Sequence, residues 1–375
     1  MSVVRRQAAR RWLAVACGVA LLCGLPAIVS ALPVPASPLS AAALRARILA
    51  SSGVPYQGYS ESSVDLGLPE LPGLGDVTAL LDGTTDQYAW YRSPSRWRAD
   101  VTTDAGENDT YQTGLGIFQW DYSHNLLTQI VGSQPVRLPR AADLLPPALA
   151  VRLLGFASPA AHLSRLPSRR VAGVDAAGLR LVPADAATTV GAVEIWADPA
   201  DGLPVEVDVT GRGSGRPVLV SRFLDLSRQR PALATVTPDP APDVGFTTTE
   251  LPDVSGILNG FGPPLPGRLA GLRRVANPGG LQDVAAYGTG VSRFAVLPLP
   301  FRVGATAMNA ARDAGAGGIG LANGTGALIQ TPLLTVLLAQ SLSGGPVYLL
   351  TGTVTPALLT TAGSGLLNST GPGGP

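Results

Sequence analysis

Two apolar-alternating runs flank a turn in "GAVEIWADPADGLPVEVDVTGRG", which begins at Gly191. Val193, Ile195 and Ala197 share one face of the first run, and Val205, Val207 and Val209 share one face of the second. Glu194, Asp198, Glu206 and Asp208 fall on the other, which predicts a half-buried antiparallel hairpin with one wet side. The same period-two text fills most of the chain from about residue 55 to Arg230: "DQYAWYR", "RWRADVTT", "GIFQWDYSHNLLTQIVG", "GLRLVPA" and "VLVSRFLDLSRQRP". Two helical stretches interrupt it. "SAAALRARILASSG" offers Ser40 as N-cap and Gly53 as stop, and "AADLLPPALAVRLLGFASPAAHLSRLP" places Pro147 in a first turn and His162 on a helix.

After Arg230 the pattern changes. "PALATVTPDPAPDVGFTTTELPDVSG" reads as a Pro-rich linker over 231–255. Beyond it strands are predicted in "GLRRVAN", "DVAAYGTGVSRFAVLPLP", "GGIGLANGTGALIQ" and "PVYLLTGTV". Helices are predicted in "VGATAMNAARDAG", "TPLLTVLLAQSLSG" and "TPALLTTAGSGLL", the last two opened by Thr331-Pro332 and Thr355-Pro356. The tail 368–375 should be disordered. The expected organisation is a leader (1–31), a first domain (40–230), the linker, a second domain (256–367) and the tail.

The leader sets the compartment. Arg5, Arg6, Arg10 and Arg11 precede an apolar run that ends at Val29-Ser30-Ala31, the form of a secretory signal or, if uncleaved, of an N-terminal anchor over 12–32. Either way the body is expected outside the cytoplasmic membrane. Both cysteines, Cys17 and Cys23, lie in this segment, so the body has no thiol to pair or to bind metal. Net charge is +1 with 14% charged residues, which argues against nucleic acid as a partner.

Candidate chemistry is sparse. His124 and His162 have no metal-ligand spacing. "GRGSGRP" around Ser214 is not a nucleophile elbow. Gly315 to Gly320 match G-x-G-x-x-G with a helix before and a strand after, the reverse of a dinucleotide fold. Asp198 with Asp201, and Asp104, Glu107 and Asp109 together, read as solvated turns. Arg92, Arg96 and Arg98 read as a solvated strand face around Trp97. No cofactor, metal or catalytic residue is assigned. What remains is aromatic: Trp90, Trp97, Phe118, Trp120 and Trp196 are the candidate lining of an apolar cavity.

The succession "YRSPSRWRADV", "YQTGLGIFQWDYSHNLLTQI" and "VEIWADPADGLPVEV" resembles the LolA-like periplasmic lipoprotein carriers, over about residues 40 to 230. Pro94, Trp97, Gly116, Trp120, Asp121, Asn125, Trp196, Asp198, Pro199, Gly202, Leu203 and Pro204 carry the match. The second half is similar in its strand–helix order to the RseB/MucB regulators of envelope stress. The resemblance implies an α+β fold: an unclosed, curved antiparallel β-barrel covered by helices, plus a smaller C-terminal α/β domain. It implies a non-enzymatic, exported protein that binds a lipid or lipoprotein acyl chain, with a membrane-bound anti-sigma factor as a further partner. A lipoprotein carrier is the alternative, and a hydrolase built on the scattered carboxylates is a second one.

Overall fold

The computed structural model describes residues 33–67, 75–103, 106–132, 139–250, 262–275 and 284–370, together with Trp12, Val15, Ala16, Gly18 and Val19. The leader apart from those five residues, Asp104, residues 251–255 and the tail beyond Thr370 lie outside that set. No described helix is long and apolar enough to cross a membrane.

Among the described residues up to Glu250, alternation becomes twelve strands: β1 (Tyr56–Asp65), β2 (Asp82–Ser93), β3 (Arg96–Thr103), β4 (Gly106–Thr113), β5 (Gly116–Asp121), β6 (Leu126–Val131), β7 (His162–Val171), β8 (Val174–Val182), β9 (Val190–Ala197), β10 (Pro204–Gly211), β11 (Pro217–Ser227) and β12 (Gly245–Glu250). They form one open sheet in the order β12-β6-β5-β4-β3-β2-β1-β11-β10-β9-β8-β7. Every pair is antiparallel except β12 with β6. His162 opens β7 and is exposed, so the second helix expected there is absent from this stretch.

Helices α1 (Ala41–Ala50), α2 (Gly75–Leu81) and α3 (Pro146–Gly155) accompany the sheet. Ser40 caps α1 by accepting from the Ala43 amide at 3.2 Å, and prolines open α3. Leu44 and Ile48 of α1 and Leu149 and Leu154 of α3 pack on Leu179, Leu181, Val193, Ile195 and Val207, all of them buried. That is the core, and it sits on one face of the sheet, fixed by the alternation that puts Val207, Ile195 and Leu179 opposite one another.

The β9–β10 corner holds α1 in place. Asp198 and Asp201 accept from the Ala200 and Leu203 amides at 2.9 and 3.0 Å, and Gly202 takes φ +81°. The bare Gly202 Cα faces the backbone of Arg47, where an added Cβ would lie 2.4 Å from the carbonyl carbon. The Arg47 guanidinium donates to the Pro199 carbonyl, and Arg228 bridges to Asp198 and Asp201. Arg45 donates to the Leu154 carbonyl at 3.4 Å, tying α1 to α3.

Beyond these, the described residues form the hairpin β13 (Arg268–Leu269) and β14 (Leu272–Arg273) and a second sheet of six strands: β15 (Ala285–Thr289), β16 (Ser292–Leu299), β17 (Gly317–Leu321), β18 (Gly324–Gln330), β19 (Thr335–Ser341) and β20 (Val347–Gly352). The sheet order is β15-β16-β20-β19-β18-β17. All its pairs are antiparallel, which differs from the expected α/β alternation. Helix α4 (Phe301–Asp313) packs on one face through Met308 and Ala311, and α5 (Pro356–Thr370) on the other through Leu359, Ala362 and Leu366. Helix α5 starts at the Thr355-Pro356 signal and runs into the segment expected to be disordered.

"TPLLTVLLAQSLSG" is strand β19, not a helix. Leu337 faces the α5 side and Leu338 the α4 side, so both faces of a central strand are apolar and no periodicity separates it from a buried helix. Thr331 closes a turn instead, its hydroxyl accepting from the Leu334 amide at 2.9 Å.

The two sheets join through backbone and side-chain hydrogen bonds. Thr188 and Val354 form a bridge, the Thr355 amide donates to Ala187 at 2.8 Å, and the Thr189 hydroxyl donates to the Leu333 carbonyl at 2.6 Å.

Candidate ligand-binding site

Strand register lays out the sheet face that points away from α1 and α3. Asp100 stands between Tyr88 and Asp109, Asp109 pairs with Trp120, Trp120 with Leu127, and Leu127 with Phe246. Beside that row, Arg98 lies between Trp90 and Tyr111, and Tyr111 pairs with Phe118. Four of the five predicted aromatics, Trp90, Phe118, Trp120 and Trp196, therefore share this outer face, the first three of them close together. Trp97 pairs with Tyr91 and Gln112 on the opposite face. Trp196 lies on β9, separated from β5 by six strands.

At the centre of the outer face the Arg98 guanidinium sits between two rings, 5.1 Å from Trp90 and 5.0 Å from Tyr111. Its Nε binds Asp100 at 2.5 Å and its Nη2 binds Asp109 at 2.7 Å. The Tyr111 hydroxyl also donates to Asp109, at 3.1 Å. Asp109 is 1% exposed, the reverse of the solvated turn expected for it. Burial pushes its carboxyl up to about 6, with the Asp100 charge adding to the effect and Arg98 opposing it. Burial likewise raises Asp100 and Glu107. Oxygens of Asp100, Glu107 and Asp109 lie within 4.8 Å of one another, a spacing that could hold a cation. Arg98 already supplies the positive charge there, so Arg98 is a half-buried pairing residue rather than part of a solvated strand face.

A second ion-pair nest surrounds Trp196. Arg169 lies 3.2 Å over the indole, binds Glu206 at 2.6 Å and approaches Asp208 at 3.4 Å. The indole N–H donates to the Pro167 carbonyl at 3.2 Å. Glu206 and Asp208 are 7% exposed, which corrects the wet side expected for that part of the hairpin. Burial raises both carboxyls.

The pocket lies at the β12 end of the outer face. The stretch read as a linker crosses β2, β3 and β4 there and then adds β12 to the sheet edge. Arg92 donates to the Pro231 carbonyl at 2.6 Å, and Val236 is fully buried under the crossing. Between this strap and the sheet is a pocket of about 300 Å³, lined by Phe118, Leu127, Phe246, Pro238 and Pro240 with Arg96 and the β4–β5 turn at its margin. Its size is at the lower end of small-molecule sites, roughly 300–1,000 Å³. Trp120, packed against the Tyr111–Phe118–Leu127 cluster and stacked on Tyr122 at 4.9 Å, has a buried indole N–H without an acceptor among the described residues.

Sequence reasoning found Phe118 but missed Leu127, Phe246 and the strap. The signal was present in "VGFTTTE", a β-prone run inside the Pro-rich stretch. His124 is exposed in the β5–β6 turn and contacts Asp121 at 2.7 Å, and hydrogen bonds from Ser123 and His124 hold Asp121 down at about 2.

An open, mostly antiparallel sheet packed by a few helices on one face, joined to a second sheet, is the architecture against which known proteins compare. No protein-family model matches the chain, and no curated protein is similar to it. Solved structures are. A chain of the Pseudomonas aeruginosa MucA/MucB complex is similar at 17% identity, over 86% of this chain and 96% of that one, with a TM-score of 0.48. A LolA superfamily protein from Nitrosomonas europaea is similar at 13% identity, over 54% of this chain and 99% of that one, with a TM-score of 0.25. An outer membrane lipoprotein-sorting protein domain from Vibrio parahaemolyticus is similar at 10% identity, over 50% and 91%, with a TM-score of 0.22. MucB and the LolA superfamily are the two groups to which the sequence motifs pointed.

Proposed function

We propose that this protein is exported and binds a lipid-like ligand without transforming it, holding one apolar chain in the pocket between Phe118, Leu127, Phe246 and the strap. The pocket itself supports the reading: about 300 Å³ of largely apolar lining with one cation, Arg96, in its wall. Each methylene buried there contributes about 0.8 kcal/mol, so roughly eight reach about 6 kcal/mol, an affinity in the tens of micromolar. The side chains beneath α1 and α3 fill that space with core, which favours the outer face as the ligand site. The regulatory form of this reading, in which ligand occupancy is passed to a membrane-bound anti-sigma factor through the second domain, draws support from the hydrogen-bonded seam at Thr188, Thr189 and Thr353.

The experiment is titration of the full chain with dodecanoate, followed by calorimetry and native mass spectrometry. One bound chain is expected. Phe246→Asp, at a position 58% exposed, should abolish it without unfolding the protein. Unchanged binding in Phe246→Asp would place the ligand elsewhere, and no binding by the parent chain would refute the proposal.

A further inference from the structure

Residues 256–367 carry a charge balance opposite to that of residues 32–255. Residues 256–367 hold six arginines and two aspartates, a formal +4, whereas residues 32–255 hold seventeen arginines and twenty-four carboxylates, a formal −7. The sheet also has two different ends. One end, at Thr353 and Val354, is tied to the first domain. The far end gathers the start of α4 and the turns β17–β18 and β19–β20. Leu299 pairs with Val347, Gln340 pairs with Val347, and the Leu342 amide donates to the Asn323 carbonyl at 3.1 Å. Gly304 packs on Val347, bringing the first turn of α4 over the same end.

Three large apolar side chains stand in solvent there: Phe301 is 66% exposed, Val303 54% and Leu342 77%. Strands β16, β20 and β19 are neighbours, so the start of α4 and the β19–β20 turn lie about 10 Å apart. The segments "PLPFRV", "ANG" and "SLSGGP" that build this end contain one charge, Arg302, and no carboxylate. Arg302 is exposed between Phe301 and Val303.

We infer that this pole docks on the surface of an anionic lipid bilayer. Phe301, Val303 and Leu342 enter the boundary between headgroups and acyl chains, and Arg302 meets the phosphates. A protein groove would also accept apolar prongs. The choice of a bilayer rests on charge: the described residues that build this pole include no acidic group to repel a negative surface, and residues 256–367 are positive while residues 32–255 are negative. The inference does not depend on the outer-face pocket.

The test follows the pole itself, so that binding through the leader cannot imitate it. Ser343→Cys, in the full chain carrying Cys17→Ser and Cys23→Ser, is labelled with an environment-sensitive fluorophore. It is then mixed with vesicles of phosphatidylcholine alone or of phosphatidylcholine and phosphatidylglycerol at 3:1. A blue shift on the anionic vesicles only is expected, weakened about five-fold by Arg302→Gln and ten-fold or more by Phe301→Ser with Leu342→Ser. Those positions are exposed, so an unchanged thermal melt should accompany the loss. Vesicle binding with no shift at the label would overturn the inference, as would an equal shift on neutral vesicles. So would a label that stays in water on vesicles but is quenched by a co-purified membrane protein.

Discussion

Replacing Asp109 with asparagine isolates the charge buried beneath Arg98. The Asp109 carboxyl is held at about 6 against an ordinary 3.8 because burial disfavours its anion more than Arg98 and Tyr111 favour it. A raised acid binds its proton more tightly in the folded state than in the unfolded chain. Between pH 4 and 6 the folded protein therefore holds more protons, and its stability falls as pH rises through that window, then levels off. Two pKa units correspond to about 3 kcal/mol. Asparagine keeps the shape and removes the titration. At pH 7.5 the variant sheds the cost of the buried anion but deprives Arg98 of one charged hydrogen bond, about 1.5–3 kcal/mol. The net expectation is a variant as stable as the parent or up to about 1.5 kcal/mol more stable at pH 7.5. Its stability should depend less on pH between 4.5 and 7.5. Urea unfolding of both chains at the two pH values gives the difference directly. Glu206 and Asp208 are raised by burial in both chains and cancel in it. A variant more than 2 kcal/mol weaker at pH 7.5, with an unchanged pH slope, would refute the reasoning and make Asp109 a satisfied anion.

Two further substitutions probe the frame. Gly202→Ala must place a Cβ 2.4 Å from the Arg47 backbone at φ +81°, so a loss of at least about 2 kcal/mol and faster proteolysis in α1 are expected; an unchanged urea midpoint would show that α1 is not seated on the corner. Arg169→Met removes the cation bonded to Glu206 and Asp208, leaving them only the charge of Arg222 across the sheet, and should destabilise by about 2 kcal/mol at pH 7, Arg169 being itself 38% exposed. Adding Glu206→Gln and Asp208→Asn should restore most of it, and failure of that rescue would assign the loss to the stacking of Arg169 on Trp196.

Much of the frame could be read from the chain. Alternation around Asp198 to Pro204 marked the hairpin corner, Ser40 and Pro147 marked α1 and α3, and Thr355-Pro356 marked α5. The outer-face cluster was harder, because it depends on register. The β3–β4 pairing of Thr103 with Gly106 places Asp100 opposite Asp109 and Arg98 opposite Tyr111. A one-residue slip would have sent those groups to the other face, and no local pattern distinguishes the two registers. Composition misled at two points. Proline and threonine in 231–255 suggested a linker where the chain, as far as Glu250, forms the strap and β12. An apolar run with a Thr-Pro start suggested a helix where β19 is buried on both sides. The pocket combines the first error with the register problem, which is why Phe118 was legible as a lining residue and Phe246 was not.

The strand order has a consequence for how this protein reaches its native state. Strands β1 to β6 form one meander and β7 to β11 another, and the two are joined where β1 pairs with β11, Gln57 opposite Ser227. Such a long-range pairing must close a loop of some 170 residues, a slow step that local hairpins do not face. Until β11 arrives, β1 presents an unpaired edge carrying Ser60 and Ser62, hydroxyl-bearing positions that end up buried at the joint. A chain emerging in order from its N-terminus would hold that edge open longest, so β1 is where a chaperone or a misfolded neighbour would find the nascent protein most receptive.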